Sequence, residues 1–142
     1  MDRLTKENYS KLFLIGALWN MLFASCGLFV PRLADKLLFG FKSAITSGTT
    51  AFGLKLTWAL VFVFGIGYYI VSLDPEKNRG IVWMGILGKL AFFFTTVQFY
   101  FKKAIILLTP ILAFGDFVFS VLFAMFLFKT KDDAKGAVPK AA

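Results

Sequence analysis

Residues 81–128 read IVWMGILGKLAFFFTTVQFYFKKAIILLTPILAFGDFVFSVLFAMFLF. Two apolar runs, 81–101 and 104–128, are separated only by Lys102 and Lys103, and each holds one formal charge: Lys89 in the first, Asp116 in the second. A membrane-spanning helix needs about 20 predominantly apolar residues, at 1.5 Å each, to cross about 30 Å of hydrocarbon. Both runs meet that length. The short connection predicts neighbouring helices that run in opposite directions. Lys89 and Asp116 each lie twelve residues from the shared turn, which places both about 18 Å from one membrane face.

Working outward, residues 51–73 form another apolar run, with Lys55 one turn inside its start, where a long side chain snorkels to the headgroups. The turn 74–80, Asp-Pro-Glu-Lys-Asn-Arg-Gly, separates it from the third run. Residues 12–30 contain no charge and end at Pro31 and Arg32. The sequence therefore predicts an all-α, antiparallel four-transmembrane-helix bundle occupying residues 1–128, with spans at about 12–30, 51–73, 81–101 and 104–128. Between the first two spans, Leu33, Leu37, Leu38 and Phe41 share a helical face, with Arg32, Asp35 and Lys36 elsewhere, which predicts a short interfacial helix followed by a polar turn at 43–50. Residues 129–142 read as a disordered basic tail.

Composition agrees with a lipid solvent. Of 142 residues, 58% are hydrophobic and 17% charged, and mean hydropathy is +0.75, against about 45–50% apolar and about 25% charged in an average soluble domain. Nineteen Phe stand against four Tyr; Phe has no polar atom that needs a partner in hydrocarbon. The net charge of +8 sits in short basic clusters at the ends of apolar runs. That placement suits topology and lipid headgroups rather than nucleic acid. With no His and one Cys (Cys26), haem, iron–sulfur and zinc chemistry lack their usual ligands, and no cofactor is expected. The segment Phe23-Ala24-Ser25-Cys26 loosely resembles a lipoprotein cleavage box, but its apolar run exceeds the about 7–15 residues of a signal h-region. The first run therefore reads as a span.

Orientation follows from the loop cations. Arg3, Lys6, Lys11, Lys77, Arg79, Lys129, Lys131, Lys135 and Lys140 lie on the side of both termini; Arg32, Lys36, Lys42, Lys102 and Lys103 lie opposite. The positive-inside rule then predicts cytoplasmic termini in a bacterial inner membrane.

Lys89 and Asp116 are the candidate site. An isolated Lys or Asp at a helix centre costs about 2.5–3.5 kcal/mol on insertion scales, so an ion pair facing the bundle interior is expected, with neutral Lys beside neutral Asp as the alternative protonation state. The accompanying small and polar positions fall on the same faces: Thr109, Ala113, Asp116, Ser120 and Ala124 in the fourth span, Gly85, Lys89, Thr96 and Tyr100 in the third, Gly16, Asn20, Ala24 and Gly27 in the first. Helix interfaces in lipid use such residues for close approach and interhelical hydrogen bonds. Asn20, Thr96, Thr109 and Ser120 thus join Lys89 and Asp116 as binding or relay candidates. Pro110 should kink the fourth helix beside this site, and Trp58 and Trp83 suit an aromatic belt.

The stretch 67–82, GYYIVSLDPEKNRGIV, followed by Gly85-Ile86-Leu87-Gly88-Lys89, resembles small uncharacterised bacterial four-helix membrane proteins, in which a Gly-Tyr helix end, an Asp-Pro turn and a Gly-x-x-Gly-Lys helix start recur. A Gly-Asp pair in the last helix matches Gly115-Asp116. The resemblance covers residues 65–128 and implies topology, with no activity attached.

Three functions remain open on the sequence: a non-catalytic membrane component that binds lipid or a partner, with the pair as a structural staple; ion- or proton-linked transport of a small solute, which four spans would achieve as a homo-oligomer or within a larger membrane complex; and a lipid- or quinone-directed enzyme using Asp116. Membrane lipids are the expected partners in each.

Overall fold

The computed structural model describes residues 3–40 and 47–131. Phe41 of the expected interfacial face, the start of the polar turn at 43–46 and the tail from 132 lie outside the described residues. Among the described residues five helices follow one another: α1 (Arg3–Phe29), α2 (Pro31–Phe39), α3 (Gly48–Leu73), α4 (Arg79–Phe101) and α5 (Leu108–Lys129). Four of them, α1, α3, α4 and α5, are long and apolar enough to cross a membrane, and no more than a third of each apolar window is buried inside the bundle. Their outward faces are nonetheless apolar: Leu22, Phe29, Phe52, Phe101 and Phe128 are each more than two-thirds exposed. Such a surface is stable against hydrocarbon and not against water. The fold is an all-α bundle.

Helix α1 begins well before the expected residue 12, because nothing in the polar 3–11 segment breaks a helix and Lys11 pairs with Glu7 one turn back at 2.7 Å. Ser47 caps α3, accepting from the Thr50 N–H while the Thr50 side chain accepts from Ser47 N–H. At the other end of α3, the Asn78 side-chain amide donates to the Asp74 carbonyl at 2.9 Å, and Pro75 is fully enclosed in the turn.

The connection between α4 and α5 is longer than a tight hairpin at Lys102 and Lys103. Lys103 takes a left-handed conformation (φ 56°), with Lys103 N–H donating to Tyr100 C=O and Ala104 N–H to Phe99 C=O, the pair of bonds that terminates a helix around an αL residue. The chain resumes helix only at Leu108. The expected kink at Pro110 is therefore corrected. Pro110 is the third residue of α5, where an N–H would have no intrahelical partner to lose, so the ring starts the helix rather than bending it. The Ile106 carbonyl instead accepts from Thr109 N–H at 3.1 Å.

In α2, the expectation that Asp35 stands off the packed face is also corrected. Ala34 and Asp35 are the buried residues, while Leu33 is exposed. Pro31 restarts the chain immediately after α1, and the short helix folds back so that its 34–35–38 face meets α1. Gly40 closes it at φ 70°, a conformation without steric cost only for glycine.

Packing divides into two helix pairs, α1 with α3 and α4 with α5. Contacts run in opposite order along each pair: Gly27 meets Trp58 and Gly65 meets Met21, while Lys89 meets Asp116 and Arg79 meets Thr130. Toward the 74–79 turn the two pairs close on one core of Phe13, Ala17, Tyr68, Val71, Val82, Ile86, Phe123, Phe126 and Leu127. Toward α2 a second, smaller core gathers Ala24, Ala34 and Trp58. The candidate site lies between them.

Candidate functional site

Lys89 stands ten residues from the start of α4, about 15 Å along the helix. It is 4% exposed, and its Nζ donates to Asp116 Oδ1 of α5 and, at 2.9 Å, to Asn20 Oδ1 of α1. Asn20 Nδ2 in turn donates to the Val61 carbonyl of α3 at 3.4 Å. One ammonium therefore ties all four long helices at mid-depth. The rings of Tyr68 and Phe119 each lie with their centroid 5.3 Å from Nζ, close enough for the cation–π attraction that partly replaces lost water.

Lys89, Asp116 and Asn20 come together in the structure, and the remaining candidates separate from them. Thr96 is buried, but its hydroxyl donates to Phe92 C=O of its own helix at 2.7 Å. Ser120 does the same with Asp116 C=O at 2.9 Å. Both hydroxyls are thereby spent on the preceding turn, the usual fate of Ser and Thr inside helices. Thr109 reaches across the chain: its hydroxyl donates to Leu38 C=O, fastening α5 to α2. It lines the cavity described below, but its proton is committed.

Sequence reasoning missed Tyr68, which is 1% exposed beneath Lys89. The available signal was Gly85, one turn before Lys89. A Cβ there would fall 2.5 Å from Tyr68 Cε1, so glycine is what lets the ring lie under the ammonium. Trp58 was also misplaced. Rather than facing lipid in a belt, it is 8% exposed and packed on Gly27, where a Cβ would stand 2.1 Å from the ring. Its Nε1–H is enclosed and without a partner among the described residues. Trp83, by contrast, is half exposed.

Above the Lys89 cluster lies a cavity of about 210 Å³. Its floor is Asn20, Lys89 and Asp116 with Tyr68, and its walls are apolar, chiefly Trp19, Trp58, Val61, Phe64, Phe92 and Leu112. α3 and α4 approach closely at Tyr68–Gly85 and Phe64–Gly88. Beyond that point Thr57, Leu60 and Phe92 line the cavity and are exposed on the bundle's side, so it opens between α3 and α4 onto the surface that hydrocarbon covers in a membrane. Below the floor, the rings of Phe13, Phe123 and Phe126 pack with centroids 4.7 to 5.1 Å apart, and Tyr68 meets Phe123 edge-on at 5.1 Å. These rings are buried and fill the interior below Lys89.

Among the described residues no group of three His, Cys, Asp or Glu gathers to hold a metal. Comparison with protein families, with curated proteins and with solved structures finds no match for this chain.

Proposed function

We propose that the chain is a non-catalytic, lipid-binding component of a membrane, which receives the apolar tail of an amphiphile laterally from the bilayer into the cavity between α3 and α4. The observation that carries this reading is the shape of the cavity: apolar walls, a side opening on the hydrocarbon-facing surface and a polar floor backed by aromatic packing. An engineered apolar cavity of about 150 Å³ holds benzene. The cavity here, at about 210 Å³, has room for a segment of an alkyl or isoprenoid chain. The Lys89–Asp116–Asn20 cluster acts first as a staple between the two helix pairs, since each charge alone would cost about 2.5–3.5 kcal/mol at mid-membrane.

The orientation that fits the loop cations keeps both termini and the 74–79 turn in the cytoplasm of a bacterial cell, with the cavity in the outer half of the inner membrane. Ion- or proton-linked transport is the second reading, favoured by one observation: an ionisable pair reaches the cavity. The aromatic layer below Lys89 counts against a path through a single bundle, so that reading calls for a path between copies.

The experiment is lipid capture. The protein purified from membranes in mild detergent, examined by native mass spectrometry, retains a lipid-sized adduct, and Leu60→Trp, at the mouth, reduces the adduct by more than half. An adduct unchanged by Leu60→Trp, together with proton-coupled solute uptake in proteoliposomes, would replace lipid binding by transport.

A further inference from the structure

The floor of the cavity is asymmetric in what it offers. An ammonium has three N–H donors; in Lys89 two are committed, to Asn20 and Asp116, and the side chain is 4% exposed beneath Tyr68 and Phe119. Asp116 is different. Its Oδ1 takes the lysine, but Oδ2 accepts no hydrogen bond among the described residues and is not an enclosed atom, and the side chain, 16% exposed, lines the cavity. Asn20 has spent its oxygen on Lys89 and an amide proton on Val61 C=O. What faces the cavity, inside an apolar wall, is thus an uncommitted carboxylate oxygen; the Tyr68 hydroxyl, which makes no hydrogen bond among the described residues, is also on the floor.

We infer that the cavity selects an amphiphile whose head is an uncharged hydrogen-bond donor, a hydroxyl, with Asp116 Oδ2 accepting its proton and the alkyl tail lying along Phe64 and Phe92 toward lipid. Three physical arguments converge on that class. The lysine and aspartate already neutralise one another, so a neutral head adds no net charge at mid-depth, whereas an ammonium or phosphate head would restore the penalty that pairing removes. An anionic head would face Asp116 Oδ2 directly, and Lys89 is too enclosed to answer it. An ether or ester head, with acceptors only, would leave Oδ2 unpaired and lose the charge-assisted bond that a hydroxyl makes. This inference rests on the lipid-binding reading and names the head that such a lipid carries.

The test uses the full chain in phosphatidylcholine nanodiscs with a photoactivatable hexadecan-1-ol carrying a diazirine in its tail. The labelled residues are mapped by mass spectrometry, and unlabelled hexadecan-1-ol, hexadecyl methyl ether and hexadecyl sulfate compete. A hydrogen bond to a charged group is worth about 1.5–3 kcal/mol, which is about ten- to hundred-fold in affinity. The expected result is labelling at Leu60, Phe64 and Phe92, displaced by the alcohol at least ten-fold more potently than by its methyl ether or by the sulfate. In the double variant Lys89→Met with Asp116→Leu, which leaves no orphan charge, labelling persists and the preference for the alcohol disappears. Equal potency of alcohol and ether, or a preference that survives in the double variant, would overturn the assignment of the head while leaving lipid binding intact. Absence of labelling at the cavity in the unmodified protein would overturn both.

Discussion

The two halves of the bundle interior are built from similar residues and end in different states. Toward the 74–79 turn, Phe13, Tyr68, Phe123 and Phe126 interlock, and Arg79 finishes the seal: its guanidinium donates to Leu127 C=O at 2.7 Å and to Thr130, with Phe126 below its plane at 5.4 Å. Carbonyls at the end of α5, left over by the helix itself, thereby gain a cation at the negative end of the helix dipole. Toward α2, Trp19, Trp58, Phe64 and Phe92 are equally bulky, yet they surround a cavity of about 210 Å³. The difference lies in the glycines and the connections. Gly85 lets α4 settle on Tyr68, whereas on the far side the short α2 packs against both α1 and α5. Bulk alone does not fill a core; backbone approach does.

The boundary between the halves is the Lys89 cluster, and breaking it carries the largest expected effect. Lys89→Met leaves the Asp116 carboxylate buried without its partner and lowers stability by about 3–5 kcal/mol, while the further change Asp116→Leu restores most of the loss. Thermal or denaturant unfolding in detergent measures both, and a double variant no better than the single one would mean that the pair is not a self-contained staple.

Phe123→Ala tests the closed half. In water such a change costs about 3–5 kcal/mol, of which part is transfer from water; between helices in lipid that part is absent, and a loss of about 1–3 kcal/mol is expected by the same unfolding assay. Thr109→Val cuts the bond from α5 to Leu38 C=O and costs about 1 kcal/mol, read out as faster amide exchange in α2. Lys103→Gly works in the opposite direction: relief of a left-handed non-glycine residue raises stability by up to about 1 kcal/mol. Leu60→Trp, at the open mouth, changes stability by less than about 0.5 kcal/mol, as for a substitution outside any packed core, and is detected instead as lost lipid adduct. If Leu60→Trp and Phe123→Ala proved equally destabilising, the contrast between an open and a closed half would collapse.

Much of this was legible in the residues. The charge-free run 12–30 and the runs around Lys55, Lys89 and Asp116 specify four helices because hydrocarbon admits nothing else of that length. The equal offsets of Lys89 and Asp116 from the connection at 102 and 103 predicted their meeting, and they do meet, although α5 starts at Leu108 rather than at 104. Thr96 and Ser120 show the limit of face arguments. Both lie on the inward stripe, and both bond to their own helix, a choice made by local geometry that periodicity does not encode.

Burial preference and span length are properties of short segments, so composition and pattern alone determine an all-α chain with four bilayer-length helices and a charge pair between two of them. Which hydroxyl is spent, where Pro110 falls relative to its helix, that Trp58 turns inward onto Gly27, and that Asp116 lines an apolar cavity depend on how closely particular backbones approach. That distance is set by all the side chains between them at once, and only the folded packing resolves it.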